Sequence, residues 1–275
     1  MVKEIKFIAE IGINHNGSVS LAKKHIEKAK ECGAHIAKFQ NYFTETRAKK
    51  NSPIKEILSN CELNPDEFND LKCFCEDIGI EFASTPFCEK SAQLLDDLKC
   101  STIKIASFYL YNEKLISKIL NFKSCKQLIV STGVSSSTQL LSINNLYDAI
   151  PNNKPSIAFL HCISEYPISS IRNLNLSNIS FMSKLTEKEI GFSDHSIGFK
   201  ATTYSVLLGA TIIEKHFTID NELEGADHAM SADPETFKSM INNCNEAQLM
   251  LGQRRLNSHY ECEIEAVPYC TYSEE

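Results

Sequence analysis

Two histidines and a glutamate in the last third of the chain have the types and spacing of a metal-dependent substrate site. Glu214 and His216 lie two residues apart in the apolar run TIIEKHF, and residues two apart on a β-strand face the same side. Ser193 and His195 alternate in the same way in the preceding cluster, GFSDHS. Neighbouring strands lie about 4.8 Å apart, so imidazoles at adjacent strand ends can converge on one ion. The pattern predicts a sparsely ligated divalent metal beside a substrate pocket.

Two lysines add positive charge to this predicted pocket. Lys38 and Lys104 each interrupt an otherwise apolar run, and a buried lysine is costly without an anion partner. Two interpretations of these lysines are open. They form ion pairs with rim acids such as Glu10 or Glu214, or they bind the phosphate and carboxylate of a substrate. Hydroxyl donors end other runs: Thr85, Ser107, Ser131 and Ser193. The set predicts a small, highly anionic substrate, with Glu10 and Glu214 as acid/base groups or polar anchors.

Eight short apolar runs alternate with helix-like segments along the chain. The runs are rich in Ile, Val and Phe, and they cover residues 5–10, 35–40, 80–84, 102–107, 127–132, 157–162, 189–194 and 211–217. Segments between them, such as VSLAKKHIEKAKECG, have apolar residues at helical spacing and end in glycine. This alternation predicts parallel βα units that close into a single-domain TIM (β/α)8 barrel. A doubly wound open sheet is the alternative.

The positions of the polar residues favour the barrel. Barrel enzymes place their chemistry at the carboxyl ends of the strands. Polar side chains cluster at those ends here: Glu10, Lys38, Gln40, Ser84, Thr85, Lys104, Ser107, Ser131, His161, Ser193, His195, Glu214 and His216. A barrel with a purely structural role has no reason to collect this chemistry on one rim.

Composition is typical of a soluble globular protein. The 275 residues are 43% hydrophobic and 23% charged, and the net charge of -7 argues against a nucleic-acid-binding face. The densest basic run, RAKK with Arg47, Lys49 and Lys50, is interpreted as a solvated loop or helix face. We expect no signal peptide and no membrane-spanning segment. The 11 irregularly spaced cysteines predict reduced thiols and a cytoplasmic protein.

Nine ordered motifs between about residues 5 and 252 resemble one known family. They are AEIGINHNG (9–17), AKFQ (37–40), STPF (84–87), IKIAS (103–107), LIVSTG (128–133), LHCISEYP (160–167), GFSDHSIG (191–198), ATIIEKHFTID (210–220) and GADHAMSADPETF (225–237). The chain resembles the catalytic barrel of the sialic acid (N-acetylneuraminate) synthase family. Such a number of motifs in one order is highly specific.

The resemblance implies an activity and a set of site residues. Family enzymes condense phosphoenolpyruvate with the open-chain aldehyde of an aminosugar, release phosphate and form a nonulosonic acid. His195 and His216 match the metal ligands of the family, with Mn²⁺ as the expected ion and Mg²⁺ or Co²⁺ as alternatives. Residues around phosphoenolpyruvate are matched by Lys38, Thr85, Lys104, Ser107, Ser131, Tyr166 and Ser193, and Gln40 is a further predicted substrate-binding residue. The acidic residues near the metal-bound water and the sugar are matched by Glu10, Glu214 and Asp227.

The chain departs from the family pattern in four places. Tyr109 stands where the family has an acid that would touch the sugar, and the segment from Gln40 to Glu62 is shorter than usual. Ile163 replaces a threonine, for which Ser164 can supply a nearby hydroxyl. The sequence runs to Glu275, and we therefore expect a barrel without the family's C-terminal antifreeze-like domain, which contributes an arginine to the sugar site. All four departures concern the acceptor side or a neighbouring contact.

The prediction is therefore a phosphoenolpyruvate-dependent condensing enzyme with a non-standard aldose or other aldehyde acceptor. One alternative is a catalytically silent barrel that binds a phosphorylated ligand or a partner enzyme, and another is an aldolase with a Schiff-base lysine at Lys104 or Lys215. We assign residues 1–252 to the barrel and residues 253–275 to a tail that caps the barrel or contacts a second copy. A homodimer is compatible with this division, and neither a nucleic acid nor a membrane is expected as a partner.

Overall fold

Eight parallel strands close into a barrel in chain order, as the computed structural model shows for residues 3–151, 153–252 and 260–270. The strands are β1 (Lys6–Gly12), β2 (Ile36–Asn41), β3 (Glu81–Pro86), β4 (Thr102–Ile105), β5 (Gln127–Ser131), β6 (Ser156–Cys162), β7 (Glu189–Asp194) and β8 (Ile212–His216). Each predicted strand is present, with ends that differ by up to two residues. The predicted TIM barrel is confirmed, and the open-sheet alternative is wrong because β8 pairs with β1.

Ten α-helices lie in the described part of the chain. They are α1 (Val19–Glu31), α2 (Thr44–Arg47), α3 (Lys55–Cys61), α4 (Pro65–Ile78), α5 (Glu89–Asp97), α6 (Glu113–Leu120), α7 (Ser137–Ala149), α8 (Ser177–Thr186), α9 (Lys200–Leu207) and α10 (Pro234–Leu251). The short helices α2 and α3 lie between β2 and α4, and they fold part of that connection over the carboxyl end of the barrel. Short 3₁₀ helices follow β4, β6 and β8 and begin at Ser107, Ile171 and His228.

Local sequence explains where α4 begins and ends. The Asn64 side chain accepts hydrogen bonds from the backbone N–H groups of Asp66 and Glu67, and Glu67 Oε2 accepts one from Asn64 N. This capping box provides partners for N–H groups that the first helical turn leaves unpaired. Pro65, at the first helical position, has no N–H group that would need a partner. Gly79 ends the helix at a φ of 74°, where a side chain would be strained.

Strand alternation divides the barrel wall into an outer and an inner face. The outer face packs against the helices in the main apolar core. The inner face carries a small apolar cluster towards the amino ends of the strands: Ile8, Ile36, Ala83, Ile129, Ala158, Leu160 and Ile212. Two residues further along β1, β2 and β8, the inner face turns polar at Glu10, Lys38 and Glu214. The apolar cluster therefore closes the floor beneath the polar carboxyl ends.

Only part of the predicted tail can be described. Residues 260–270 include an exposed 3₁₀ helix, Glu261–Tyr269, and residues 253–259 and 271–275 lie outside the described residues. The division at residue 252 stays a prediction. No helix in the described ranges has the length and apolar character needed to cross a membrane.

Three buried histidines, His15, His25 and His228, make the fold sensitive to acid. The His25 ring lies 6.1 Å from the His228 ring and 6.4 Å from the Phe217 ring, and His25 Nε2 is buried without a hydrogen-bond partner. Burial lowers the pKa of His15 and that of His25 to about 4, and neighbouring histidines add to the decrease. Both rings are therefore neutral in the folded protein at pH 6.

We expect acid to destabilise the protein through His25 before most carboxylates titrate. The unfolded histidine has a pKa of about 6.5, so below that pH the unfolded chain binds a proton that the folded chain excludes. The contribution is complete above pH 6.5 and is lost as the pH falls towards 4, by about 2 kcal/mol at pH 5. The free energy of unfolding should thus fall by about 2 kcal/mol less between pH 7 and pH 5 in His25→Leu than in wild type. Denaturant titrations at the two pH values measure this fall, and an equal fall in wild type and His25→Leu would contradict the prediction.

Candidate active site

A cavity of about 310 Å³ opens at the carboxyl ends of the strands. Thirteen predicted site residues line it: Glu10, Lys38, Gln40, Thr85, Lys104, Ser107, Ser131, Tyr166, Ser193, His195, Glu214, His216 and Asp227. They come from every strand except β6 and from the loops that follow β4, β6, β7 and β8. The barrel thus collects residues that are up to about 200 positions apart in sequence into one pocket.

Two lysines and two glutamates form a connected ion-pair network on the inner wall. Lys38 Nζ lies 2.5 Å from Glu10 Oε2 and 3.6 Å from Glu214 Oε2, and Lys104 Nζ donates to Glu214 Oε1 at 2.7 Å. Ser193 Oγ also donates to Glu214 Oε1, at 2.8 Å. Each of the four charged side chains is at most 6% exposed. The predicted pairing of the lysines with rim acids is therefore present, and it holds both ammonium groups inside the cavity.

The network keeps Glu214 ionised. Burial by itself raises the pKa of this carboxyl, but the ammonium groups of Lys104 and Lys38 outweigh it and hold the pKa well below its usual range. Burial also lowers the pKa of Lys104, with Lys38 adding to the effect and Glu214 opposing it. For Lys38 the two carboxylates overcome burial and raise the pKa. A carboxylate that is held ionised in this way is better suited to anchoring the two lysines than to accepting a proton.

The two predicted metal ligands lie side by side. The His195 and His216 ring centroids are 5.5 Å apart, and the Tyr166 ring packs 4.0 Å from that of His195. His195 Nδ1 lies 2.7 Å from Ile163 O, so Nδ1 carries the proton and Nε2 keeps a free lone pair. His216 Nδ1 is buried without a hydrogen-bond partner, 3.6 Å from Asp227 Oδ2.

This donor set fits a divalent ion with few protein ligands. Within the described ranges no three His, Cys, Asp or Glu side chains are arranged to hold a metal by themselves. Two imidazoles would leave most coordination positions to water and substrate, which is typical of a catalytic rather than a structural site. The observation that supports the fit is the pair of ring nitrogens, His195 Nε2 and His216 Nδ1, left free by their surroundings.

Three serine hydroxyls lie on or just behind the cavity wall. Ser131 Oγ and Ser164 Oγ are buried and make no hydrogen bond, while Ser107 Oγ accepts from Gly133 N at 3.0 Å. A Cβ at Gly133 would lie 2.4 Å from Ser164 Oγ and 2.8 Å from Ser107 Oγ. Glycine is therefore needed for these hydroxyls to lie together. Unpaired buried hydroxyls are costly unless a ligand completes them, so this side of the cavity is suited to an anion.

The chain matches the NeuB family over residues 25–255, which is most of its length. The chain belongs to the NeuB family. It is 41% identical to an uncharacterised protein of Methanocaldococcus jannaschii over 89% of this chain and 71% of that one. It is 34% identical to the N,N'-diacetyllegionaminic acid synthase of Legionella pneumophila, over 89% and 72% of the two chains. The solved structure of N-acetylneuraminic acid synthetase from Leptospira borgpetersenii superposes with a TM-score of 0.90 at 30% identity, covering 97% of this chain and 91% of that one.

Two predicted substrate-binding residues of this NeuB-family chain do not line the cavity directly. Ser164 lies one layer back, beside Ser107 and Gly133. Tyr109 packs behind the cavity wall, with its ring 5.2 Å from Phe87 in an edge-to-face contact. Phe108, which is 61% exposed, lines the cavity instead. The 3₁₀ turn that starts at Ser107 causes this exchange, because it rotates consecutive side chains to different sides. Substrate contact by Tyr109 stays a prediction.

Arg47 is a cavity residue that the sequence interpretation missed. The basic run RAKK was assigned to a solvated face, but only Lys49 and Lys50 are exposed. Arg47 ends α2, lines the cavity and donates from Nη1 to Gln40 Oε1 at 2.9 Å. Its guanidinium lies 3.7 Å from the centre of the Phe87 ring. The sequence signals for burial of this arginine are the aromatic pairs YF (42–43) and PF (86–87), because a guanidinium packs on aromatic rings.

Lys215 is excluded from the cavity by strand alternation. It lies between Glu214 and His216 and points to the outer face of β8, where its Nζ donates to Asp194 Oδ2 and Ser196 O, both at 2.7 Å. Neither partner of the Lys215–Asp194 pair is more than 2% exposed. The Schiff-base alternative at Lys215 therefore lacks access to a substrate in this cavity. Among the cavity lysines, Lys104 is the remaining residue proposed for that chemistry.

Proposed function

We propose that this chain condenses phosphoenolpyruvate with an aldose or another aldehyde, forming a 2-keto-3-deoxy acid of the nonulosonic type and inorganic phosphate. The observation that carries the proposal is one cavity that combines two buried lysines, two carboxylates and two neighbouring imidazoles. Membership of the NeuB family supports it, as do relatives named as synthases of legionaminic and N-acetylneuraminic acids.

The residues divide into an anion side and an aldehyde side. Lys38 and Lys104 supply positive charge for the phosphate and carboxylate of phosphoenolpyruvate, and the free hydroxyl of Ser131 on the cavity wall adds a donor. Ser107 also lines this side of the cavity, where its hydroxyl accepts from Gly133 N. On the other side, His195 and His216 would hold a divalent ion, for which we propose Mn²⁺. Such an ion supplies a Lewis acid that polarises a carbonyl oxygen.

The reaction requires one new carbon–carbon bond and one water. C3 of phosphoenolpyruvate forms a bond to the aldehyde carbon, and the aldehyde oxygen takes up a proton. Water adds its oxygen to C2 and loses both of its protons. One balances the proton taken up by the aldehyde oxygen, and the other goes to the phosphate, which leaves with the bridging oxygen as its bond to C2 breaks. The products are therefore a 2-keto-3-deoxy acid and phosphate, and in water labelled with ¹⁸O the phosphate should carry no label.

Glu10 is the better candidate for the proton acceptor. Glu214 is held ionised by two lysines and Ser193, which suits an anchor. Glu10 has one lysine partner, and its Oε1 accepts only a long 3.3 Å hydrogen bond from Gln40. Glu10 also neighbours His216 in the register of β1 and β8, so it lies beside the proposed ion. A carboxylate at this position can take a proton from water as the water adds to C2.

The test is phosphate release from phosphoenolpyruvate with Mn²⁺ across a panel of aldoses and simple aldehydes. We expect release that requires both an aldehyde and the divalent ion, and a loss of at least about 100-fold in His195→Ala. His161→Ala is the matched control, because His161 also ends a strand but stacks on Phe192 outside the cavity. It should keep the activity at temperatures where the variant remains folded.

A catalytically silent barrel gives a different set of results. Such a protein would bind phosphoenolpyruvate and Mn²⁺, seen as a joint rise in Tm, without releasing phosphate for any aldehyde. That outcome would refute the proposed reaction. Trapping of a keto acid on Lys104 by borohydride would also refute it, because a Schiff base is the intermediate of an aldolase.

A further inference from the structure

Arg47 is the one lysine or arginine lining the cavity that has no carboxylate within ion-pair distance, as far as the described residues show. Lys38 and Lys104 are each paired with a glutamate. The guanidinium of Arg47 instead donates to the neutral amide of Gln40 and lies over the rings of Phe87, at 3.7 Å, and Tyr42, at 4.5 Å. Several of its donors are therefore left for a ligand.

The surroundings make this unpaired charge costly. The side chain is half-buried, and burial lowers the pKa of Arg47, although nearby acidic and phenolic groups oppose the decrease. Contact with aromatic rings repays only part of the lost hydration of a guanidinium. An anion that entered the cavity would complete the interaction with two parallel charge-assisted hydrogen bonds.

The segment that carries Arg47 is held in place before any ligand binds. Tyr42 Oη donates to Leu58 O at 2.9 Å, and Thr44 N donates to Glu62 Oε2 at 2.8 Å. A small apolar cluster, which includes Tyr42, Leu58 and Cys61, packs beneath α2 and α3. The guanidinium is therefore presented by a fixed element, which is the condition for selective recognition of a ligand.

Arg47 is half-buried, so it is more accessible from the mouth of the cavity than the buried lysines, and Gln40 and Glu10 link it to Lys38. Lys38 and Lys104 are each 3% exposed, whereas Ile54 and Phe108, which line the same cavity, are 51% and 61% exposed. An aldehyde whose reacting carbon reaches the lysines and histidines would extend its other end towards this mouth. That end would pass the guanidinium.

We propose that Arg47 binds an anionic group, a phosphate or a carboxylate, carried by the acceptor at the end away from its aldehyde. The acceptor class is then a sugar phosphate or an acidic sugar. That the ligand is the aldehyde acceptor rests on the proposed condensation. Binding of an anion by Arg47 does not depend on turnover. Arg47 would thus determine which acceptor the cavity selects. It donates to Gln40, which in turn donates to Glu10, so a chain of hydrogen bonds connects Arg47 to Glu10.

Unreactive probes test the anion site without any reaction. Glucitol 6-phosphate, gluconate and glucitol resemble phosphorylated, acidic and neutral acceptors but have no aldehyde. Calorimetric titration of the full chain, with phosphoenolpyruvate present to occupy Lys38 and Lys104, should show one of the two anionic probes binding about 10- to 100-fold more tightly than glucitol. Whichever of the phosphate and the carboxylate binds more tightly identifies the anion.

Variants assign that preference to Arg47. Arg47→Met and Arg47→Gln should remove it, and Arg47→Lys should keep part of it. Lys50→Met is the matched control, because it removes an exposed charge from the same segment, and it should keep the full preference. Equal binding of all three probes by wild type, or a preference that survives both Arg47→Met and Arg47→Gln, would overturn the proposal.

Turnover separates this inference from the proposed function. If Arg47 only positions Gln40, Arg47→Met should lower kcat equally for neutral and anionic aldehydes, which would also refute the anion site. If no aldehyde supports phosphate release while the Arg47-dependent binding preference remains, the condensation is refuted and the anion site stands. Release with neutral aldehydes alone would retain the condensation and reject Arg47 as an acceptor-binding residue.

Discussion

Lys104→Met is expected to lower kcat/KM for phosphoenolpyruvate by about 100- to 1,000-fold. Lys104 is one of two ammonium groups that the barrel places inside the cavity, and it is 3% exposed. Its loss removes a positive charge from a site that must hold a phosphate and a carboxylate in surroundings of low polarity. Truncation of one partner of a buried charge pair costs about 2–5 kcal/mol, which sets the size of the effect.

The same substitution should alter the state of Glu214. Without Lys104, this carboxylate keeps Ser193 at 2.8 Å and Lys38 at 3.6 Å, so its pKa should rise from its present low value. Activity that remains in Lys104→Met should then fall more steeply than that of wild type as the pH is lowered. The measurement is steady-state phosphate release between pH 5 and pH 8 in both proteins.

Lys6→Met is the matched control for Lys104→Met. Lys6 also belongs to a barrel strand, but its Nζ donates to Gln127 Oε1 at 2.7 Å at the opposite end of the barrel. Its substitution should leave kcat and KM within about threefold of wild type. If Lys104→Met also remained within that limit, Lys104 would have no role in binding phosphoenolpyruvate.

Asp194→Asn is expected to lower the free energy of unfolding by about 3–5 kcal/mol. Asp194 and Lys215 form an ion pair at 2.7 Å on the outer face of the barrel wall, and the aspartate also accepts from Ser196 N at 2.8 Å. The substitution keeps the shape of the side chain but leaves the ammonium group of Lys215 buried without a counter-charge. Urea unfolding at pH 7 measures the loss.

Two further variants isolate the cause. Lys215→Met added to Asp194→Asn removes the unpaired charge and should recover much of the loss, because an apolar replacement of a buried pair is often tolerated. Asp70→Asn breaks the surface pair Lys23–Asp70, which has a similar distance of 2.9 Å but is partly exposed. It should cost less than about 1 kcal/mol. A small loss in Asp194→Asn, equal to that in Asp70→Asn, would contradict the buried-pair explanation.

The number and order of the strands could be predicted from local sequence. Runs such as IAKFQ and TIIEKHF combine β-branched and aromatic residues over lengths too short for a helix, and segments of helical spacing that end in glycine, such as VSLAKKHIEKAKECG, separate the runs. Eight repeats of this pattern have few other ways to bury their apolar faces. Alternation within a strand also indicated correctly that Glu214 and His216 face one way.

Contacts across the barrel could not be predicted in this way. Lys104 on β4 pairs with Glu214 on β8, 110 residues later, because both strands curve around the same interior. The sequence left pairing and anion binding as equal alternatives for the lysines. Which glutamate meets which lysine depends on strand tilt and register, and these are properties of the closed barrel rather than of any run.

The sequence by itself determined the barrel, the polar rim and the neighbouring histidines, because each follows from residues two apart on a strand or from the repetition of one local pattern. Only the tertiary structure decided which charges share the cavity. Arg47 turns inwards because α2 folds back over the carboxyl ends and packs its guanidinium on Phe87, which lies 40 residues further along the chain. Burial and charge pairing depend on such distant contacts, and a short run of residues does not contain them.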